Sequence, residues 1–313
     1  MVRLLSRGDE RGWSATAARR CATKKVDSED WMGRNSTYIG ALRLDEAELH
    51  RLQIQHQLLT TGMGGLLPEQ RDWTRFSRVL DVGCGPGDWL LDLASACPQI
   101  SELVGLDLDS SVLRYAARQA ESRQLSQRVR FHLLDALGSL HWPEERSFDL
   151  VNQRFGASWI RQWEWAPLLF QYRRVSKPGG VIRVSEYDVG ISNSPALEQL
   201  VELTVKAFAQ AGHFFLPQRD GLSRQLVPLL QRAGLQGVEQ RTAAVSCQAG
   251  TPLGDLFAEN IKRFFHTIEP FLQKWIPLPP DYKKRCRRAI ADLSEPWFLA
   301  TWTVTTAWGT TPT

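Results

Sequence analysis

The sequence predicts an α/β fold, in which a doubly wound, mostly parallel sheet carries helices on its faces. Two observations predict this fold. Short apolar runs alternate with helical patterns between residues 79 and 188, and strands that are separated by helices form parallel sheets with right-handed crossovers. A glycine-rich loop, Gly83–Gly87, joins the first strand of this series to its first helix, at the edge where parallel sheets bind ligands.

Residues 1–33 precede this fold and are expected to form a flexible basic tail, because they show no sustained hydrophobic periodicity. Residues 1–25 carry seven basic and two acidic side chains, a net charge of +5, while the whole chain of 313 residues carries +4. The remaining body therefore has a charge of −1, so the basic excess of the chain is not by itself evidence for a nucleic-acid surface. An organellar transit peptide and a start codon placed too far upstream are the alternative interpretations of the tail.

Residues 34–70 are expected to form a helical N-terminal cap. Leucines recur among charged and amide side chains between residues 44 and 66, which is typical of a helix with one buried face. This helix is expected to end at the glycines of Gly62–Gly65, with Pro68 beyond them.

The glycine-rich loop follows a strand predicted at residues 79–82, and Asp88 is predicted to cap a helix over 88–97. The glycines are spaced G-x-G-x-G, whereas a dinucleotide site requires G-x-G-x-x-G, and Asp88 occupies the place of the third glycine. An acid at this place disfavours a pyrophosphate and therefore a nicotinamide dehydrogenase. It suits a ligand with a positive amine, and Asp81 before the loop favours the same ligand.

The next predicted strand, residues 103–107, ends at Asp107, which lies 20 residues after Gly87. An acid at the end of a second strand accepts hydrogen bonds from the hydroxyl groups of a ribose. A nucleoside joined to an amino acid would satisfy both Asp107 and the acids at the loop, and S-adenosylmethionine is such a molecule.

Three further strands complete the predicted parallel part of the sheet, and polar residues stand at their carboxyl ends. The strands are predicted at residues 129–134, 148–152 and 181–186, with helices at 110–124 and 162–175 and a turn at Lys177–Gly180. The polar residues at their ends are Asp135, Asn152 to Arg154, and Glu186 to Asp188. Because ligands bind beyond the carboxyl ends of parallel strands, these residues are candidates for one site.

Beyond residue 190 the pattern changes to helices rich in aromatic side chains. Residues 191–237 are expected to form a helical lid with helices at 194–212 and 220–234. Residues 238–313 are expected to contain strands at 238–247 and 297–308, separated by a helical insertion at 253–295 that holds an aromatic helix at 253–275 and a basic helix. An insertion of this length suits a lid over a substrate.

The stretch Val79–Trp89, together with Asp107, resembles the first motif of class I S-adenosylmethionine-dependent methyltransferases. The segments Leu44–Glu48 and Arg51–His56 resemble the region before this motif in bacterial and fungal small-molecule methyltransferases, including those of natural-product metabolism. The resemblance implies a Rossmann-like, cofactor-binding core at residues 71–190, a seven-stranded sheet whose last two strands are antiparallel, and helical lid insertions.

The same resemblance implies that the cofactor is S-adenosyl-L-methionine and that the product is S-adenosyl-L-homocysteine. It places the helix of residues 44–66 over the cofactor. The residues that it assigns to cofactor binding are Tyr38, Gln55, His56, Asp81, Gly83, Cys84, Gly85, Gly87, Asp107, Leu108, Asp135, Ala136, Asn152 and Gln153. The five scattered cysteines include no C-x-x-C pair, so neither a disulfide framework nor a metal site is expected.

The acceptor is expected to be an apolar or aromatic small molecule, because aromatic side chains are frequent after residue 150. The residues expected to bind it are Arg154, Phe155, Trp159, Tyr187, Phe214 and Phe264. A general base is needed only when the acceptor must lose a proton. The candidates are His56, Glu186, Asp188 and His213, of which at most one is expected to act as a base. Oxygen is the expected acceptor atom, with nitrogen and carbon open.

Two other functions stay open. An RNA or protein methyltransferase would use the basic tail and the basic helix at residues 283–288. However, Asn152–Phe155 lacks the Asn/Asp-Pro-Pro-aromatic signature of resembling enzymes that modify nucleic-acid amines. A non-catalytic partner subunit would keep the cofactor site without the reaction. The first expectation remains a cytoplasmic methyltransferase, monomeric or homodimeric, with a small-molecule acceptor, no membrane span and no nucleic-acid partner.

Overall fold

The computed structural model describes residues 46–138 and 143–313. Its strands are β1 (Arg78–Val82), β2 (Glu102–Asp107), β3 (Val129–Leu133), β4 (Phe148–Arg154), β5 (Ser176–Tyr187), β6 (Ile191–Ser192), β7 (Gln236–Gln248) and β8 (Leu299–Thr310). Its α-helices are α1 (Glu46–Met63), α2 (Asp88–Ala96), α3 (Ser110–Ser122), α4 (Trp165–Val175), α5 (Pro195–Gln210), α6 (Leu226–Arg232), α7 (Pro252–Thr267), α8 (Glu269–Trp275) and α9 (Tyr282–Asp292). The predicted basic tail and Tyr38 lie outside the described residues.

The described strands form one sheet in the order β3-β2-β1-β4-β5-β8, and β7 pairs with β8 as well. Strands β1 to β5 pair in parallel, while β8 runs antiparallel to both β5 and β7. The predicted doubly wound, mostly parallel sheet with an antiparallel pair at its end is confirmed. The part of the chain that is described also has an eighth strand that the sequence did not predict. This strand, β6, has two residues and pairs with β8 just beyond the last pair of β5.

Two hydrophobic clusters pack on the two faces of the sheet, because neighbouring residues of a strand point to opposite faces. Val79 of β1 belongs to the smaller cluster with Trp89 of α2 and Leu113 of α3. Leu80 belongs to the larger cluster, which includes residues of α4, α5 and α7. No helix within the described residues combines the length and the apolar character that a membrane-spanning helix needs.

The start of α2 differs from the prediction. The helix begins at Asp88, and the cap position is held by Gly87, which has a φ of 81° and makes no side-chain hydrogen bond. The prediction that Asp88 caps the helix is therefore wrong, because the left-handed backbone at this cap favours glycine. Asp88 instead lies in the first turn, where the helix dipole favours an acid.

Two later elements also differ from the prediction. The predicted helix at 253–275 is two helices, because α7 ends at Thr267 and α8 begins at Glu269, with Pro270 in its first turn. Proline lacks an amide hydrogen and clashes with the preceding turn, so it divides the aromatic pattern. The predicted turn at Lys177–Gly180 lies within β5, whose pairing with β4 shifts register at this point.

Candidate functional site

The loop between β1 and α2 presents bare backbone at the carboxyl edge of the sheet. Gly83 has a φ of 69°, and a Cβ atom there would lie 3.0 Å from the indole of Trp159. Gly87 has a φ of 81°, and a Cβ atom there would lie 2.8 Å from the ring of Phe131. The left-handed backbone and the lack of space therefore both exclude a side chain at these positions. Gly85, between them, has a φ of 55° and open space where a Cβ atom would lie, so a ligand can approach the loop backbone there.

Asp107 ends β2 and holds the loop in place. Its Oδ2 accepts a hydrogen bond from the Gly85 amide at 2.9 Å, and its Oδ1 accepts one from the Asp109 amide at 3.0 Å. Burial raises the pKa of Asp107, and these donors oppose that effect. Each carboxylate oxygen can accept a further bond, so the group suits two ribose hydroxyls. Nearby, Leu108 is 46% exposed, while Cys84 is buried and has a raised thiol pKa.

A row of buried polar side chains crosses the sheet behind the loop. Asn152 donates from Nδ2 to Asp81 Oδ1 at 2.7 Å and accepts at its own Oδ1 from Nη1 of Arg183 at 2.8 Å. Arg183 also pairs with Glu69 at 2.8 Å, and both of these side chains are almost completely buried. Burial raises the pKa of Asp81 to about 6, against the opposing effects of Arg154 and Asn152. Asp81 is therefore fixed in position and titrates close to neutral pH.

Asp135 and Ala136 follow β3. The Oδ1 atom of Asp135 accepts a hydrogen bond from the Leu137 amide at 2.9 Å, and Ala136 packs against the larger hydrophobic cluster. Residues 139–142 of the same connection lie outside the described residues. The assignment of Asp135 to cofactor binding stays a prediction.

His56 lies where α1 meets the end of β4. Its Nε2 lies 2.9 Å from Oδ2 of Asp92, and its Nδ1 lies 3.2 Å both from Nη2 of Arg154 and from the hydroxyl of Thr60. Because a guanidinium group only donates, these partners assign the proton to Nε2 and make Nδ1 the acceptor. Burial lowers the pKa of His56, which favours this neutral ring. Both ring nitrogens are therefore engaged within the protein.

Glu186 is buried beneath the 3-10 turn that follows β4. Its Oε1 accepts hydrogen bonds from the Gly156 amide at 2.6 Å and from Nε2 of Gln153 at 3.0 Å, and its Oε2 accepts one from the Ala157 amide at 3.2 Å. Burial raises the pKa of Glu186 to about 7, although these donors lower it. The carboxyl group therefore holds this turn in place.

The two remaining base candidates lie in different surroundings. Asp188 accepts a hydrogen bond from the hydroxyl of Ser223 and lines an open groove of about 820 Å³, whose lining includes neither the glycine loop nor Asp107. His213 is fully buried, and its Nδ1 lies 3.0 Å from the carbonyl oxygen of Ile160. The structure thus does not bring the four predicted bases together, and each of them is hydrogen-bonded to another part of the chain.

A largely apolar cavity of about 60 Å³ lies beside the ends of β4 and β5. Its lining includes the predicted acceptor residues Tyr187, Phe214 and Phe264. The lining also has aromatic residues that were not predicted from the sequence to bind the acceptor, namely Phe208, Phe257, Phe265 and Trp302. The helical spacing of residues 257, 264 and 265 places them on one face of α7, and this pattern would have identified two of them. Trp302 comes from β8, and no local pattern indicated its position.

The polar residues of this cavity include Arg51 and Gln55 of α1 and Asn260 of α7. Arg51 donates to both carboxylate oxygens of Glu48, at 2.8 and 2.7 Å. Its Nη1 donates to Gln55 at 2.9 Å and to Asn260 at 3.2 Å. Burial raises the pKa of Tyr187 to about 12, so its phenol is neutral. Arg51 and Tyr187 are the titratable side chains in this lining among the residues that the structure describes.

The other predicted acceptor residues lie outside the lining of the cavity. Phe155 packs against Tyr187, with ring centroids 5.4 Å apart, and so borders the cavity from β4. Trp159 lies against Gly83 of the glycine loop, and Arg154 contacts His56 of α1. Trp159 and Arg154 therefore adjoin the loop and its neighbours rather than the cavity.

Comparison with known proteins places this arrangement among methyltransferases. Residues 79–180 match a family model described as a methyltransferase domain. The chain is 31% identical over 235 residues to the N-methyltransferase gliN of Aspergillus fumigatus, which aligns 70% of this chain with 77% of that protein. It is 28% identical over 176 residues to a demethylmenaquinone methyltransferase of Lactiplantibacillus plantarum, which aligns 52% of this chain with 71% of that protein.

Among solved structures, the chain is similar to phosphoethanolamine N-methyltransferase 2 of Haemonchus contortus in complex with S-adenosyl-L-methionine. The TM-score is 0.54 at 18% sequence identity, and the match covers 90% of this chain and 61% of that one. At this identity the likeness shows the fold alone. Because the match covers 61% of that protein, this chain spans less than two thirds of its length.

Proposed function

The chain belongs to the class I S-adenosylmethionine-dependent methyltransferases, and from this premise we propose that it methylates an apolar or aromatic small molecule. The observation that carries the proposal is the position of the apolar cavity. The lining of this cavity includes Ala157, in the turn after β4, and Tyr187, the last residue of β5. The glycine loop lies at the same edge of the sheet. An acceptor in the cavity would thus adjoin a cofactor on the loop.

S-adenosyl-L-methionine fits the residues at this edge. The bare backbone of the glycine loop suits close approach of the cofactor, and Asp107 would accept hydrogen bonds from both ribose hydroxyls. Asp81 would face the α-ammonium group, and the partly exposed side chain of Leu108 would pack on the nucleoside. The product that leaves this site would be S-adenosyl-L-homocysteine.

Methyl transfer from a sulfonium is an in-line displacement, in which the leaving thioether needs no proton. The protein must align the donor with the acceptor and exclude water. The aromatic lining suits both tasks, since it surrounds an acceptor with apolar side chains. The cofactor supplies the activated methyl group, and the chain supplies position and a dry environment.

The titratable side chains that line the cavity indicate which kind of atom in the acceptor receives the methyl group. The titratable side chains of the described lining are Arg51, which is paired with Glu48, and Tyr187, whose pKa is raised to about 12. This lining favours a nucleophile that attacks with a lone pair already available, such as a neutral amine. It does not favour the simple hydroxyl that the sequence alone suggested, because a hydroxyl must lose a proton during transfer.

The RNA or protein methyltransferase is the second candidate function, and it was based on the basic tail and on the basic helix, which lies within α9. In α9, Arg285 pairs with Asp281 at 3.0 Å and Arg288 pairs with Asp292 at 2.9 Å. Part of the positive charge of this helix is therefore neutralised locally. This pairing favours a solvated helix face over a phosphate-binding surface.

The proposal is tested by incubating the purified chain with methyl-labelled S-adenosylmethionine and an extract of its source cells. The expected result is label in the organic-soluble fraction, which also delivers the product for identification. Label in RNA or protein would contradict the small-molecule proposal. Bound cofactor without transfer to any fraction would contradict it in favour of a non-catalytic subunit.

A further inference from the structure

Arg154 has a position that the proposed acceptor site does not explain. It is the last residue of β4, two residues after Asn152, so it lies on the sheet face that carries Asp81. Its guanidinium carbon lies 5.7 Å from the centroid of the Trp89 ring in α2 and 5.4 Å from that of Phe155. The group therefore lies over two aromatic rings near the start of α2, and the cavity lining does not include it.

The charges around Arg154 suit a zwitterion. Asp81, Asp88 and Asp92 all stabilise its positive charge, although burial lowers the pKa of Arg154 to about 10. The group therefore remains a cation at neutral pH. Within the described residues, no carboxylate oxygen lies within 4.0 Å of its nitrogen atoms. Its positive charge is thus close to several acids without direct contact with any of them.

His56 fixes the guanidinium group from the side of α1. Asp92 holds the Nε2 proton of His56, so Nδ1 accepts from Nη2 of Arg154 at 3.2 Å. This contact uses one of the five N–H donors of the guanidinium group. The remaining donors form the planar fork that binds carboxylates at two points.

We propose that Arg154 binds the α-carboxylate of the methionine end of the cofactor, while Asp81 binds the neighbouring α-ammonium group. This inference rests on the proposed function, because it requires S-adenosylmethionine at the glycine loop. An α-amino acid carries both charges on neighbouring atoms, and the site presents an acid and a guanidinium group on one face of the sheet. His56 and Asp92 are then positioning residues for Arg154 rather than catalytic residues.

The test compares two ligands that differ in the amino-acid end. S-adenosylhomocysteine has the α-carboxylate, whereas 5′-methylthioadenosine lacks the whole amino-acid end but keeps the nucleoside. We expect Arg154→Met to weaken calorimetric binding of S-adenosylhomocysteine by about 10- to 100-fold and to leave binding of 5′-methylthioadenosine within about twofold. Arg154→Lys, which keeps the charge but loses the fork, should weaken S-adenosylhomocysteine binding by a smaller factor.

The control is Arg130→Met, because Arg130 of β3 has a side chain that is 63% exposed, and this variant should bind both ligands like the wild type. Equal loss of both ligands in both Arg154 variants would contradict the proposal, since it would indicate a collapsed pocket. Unchanged S-adenosylhomocysteine affinity would also contradict it. A wild-type chain that binds neither ligand would instead overturn the proposed function itself, so the two failures are distinguishable.

Discussion

A substitution of Asp107 is the simplest test of the proposal that the nucleoside of the cofactor binds at the end of β2. Its carboxylate already orders the loop through the Gly85 amide. We expect Asp107→Ala to weaken binding of S-adenosylhomocysteine by about 1–3 kcal/mol, because charge-assisted hydrogen bonds to the ribose are lost. Isothermal titration calorimetry measures this change, with the exposed α3 variant Glu121→Ala as control. Unchanged affinity of the Asp107→Ala variant would contradict the assignment of Asp107 to cofactor binding.

We expect Asp81 to make cofactor binding dependent on pH. In the free protein burial raises its pKa to about 6, so the carboxyl group becomes protonated as the pH falls through this value. A bound ammonium group favours the ionised carboxylate, and protonation therefore opposes binding. We expect the affinity for S-adenosylhomocysteine to be constant above about pH 7 and to fall between about pH 7 and 5.

The matched variant for this prediction is Asp81→Asn, which cannot titrate. It should bind more weakly than the wild type at neutral pH and should lose the decrease in affinity toward pH 5. Calorimetry over this pH range compares the two proteins. A decrease of equal size in the variant would mean that another group is responsible.

At the scale of elements, Arg183 links β5 to β4 and to Glu69. Both members of the Arg183–Glu69 pair are buried, so Arg183→Met would leave an uncompensated carboxylate in the core. We expect this variant to lower the free energy of unfolding by about 3–5 kcal/mol, measured by urea denaturation. Adding Glu69→Leu to Arg183→Met should restore much of the loss, since neither charge of this buried pair then remains.

The control for Arg183 is Arg174→Met at the end of α4. Arg174 pairs with Glu145, whose side chain is 67% exposed, and such a pair contributes about 0–1 kcal/mol. Equal stability of Arg174→Met and Arg183→Met would contradict the importance of the buried row.

Local sequence patterns predicted the elements that depend on local physics. The apolar runs of β1 to β5 and the glycine spacing of the loop are read from adjacent residues, and the structure confirms the sheet that they imply. The capping of α2 was mispredicted because side-chain chemistry favoured Asp88, whereas the backbone at Gly87 is left-handed. The division at Pro270 was missed because the aromatic pattern continues through it.

Most of the unpredicted parts of the site depend on contacts between distant residues. Arg51 and Asn260 are 209 positions apart, and Arg183 and Glu69 are 114 positions apart. Periodicity within one element cannot show which side chains of two elements meet. Asp81 and Asp107 were accessible from sequence because their positions at strand ends follow from the motif, whereas the polar groups that hold them required the folded chain.

At the scale of the whole molecule, elements that are far apart in the sequence enclose the cavity. Its lining takes residues from α1, α5, α7 and β8, among others. We expect Phe264→Trp to fill part of this space and to lower the rate of methyl transfer by about tenfold or more, while S-adenosylhomocysteine affinity stays unchanged. The control is Phe170→Trp, because Phe170 is 62% exposed on α4. Full transfer activity in Phe264→Trp would mean that the acceptor binds elsewhere.

The proposed positions of the methyl donor and acceptor are tested most directly by a crystal structure of the chain with bound S-adenosylhomocysteine. We expect the nucleoside on the glycine loop, the ribose hydroxyls on Asp107, and the sulfur atom directed toward the cavity beside Tyr187. A ligand whose sulfur faces away from that cavity, or whose ribose does not contact Asp107, would contradict the assignment of donor and acceptor sites.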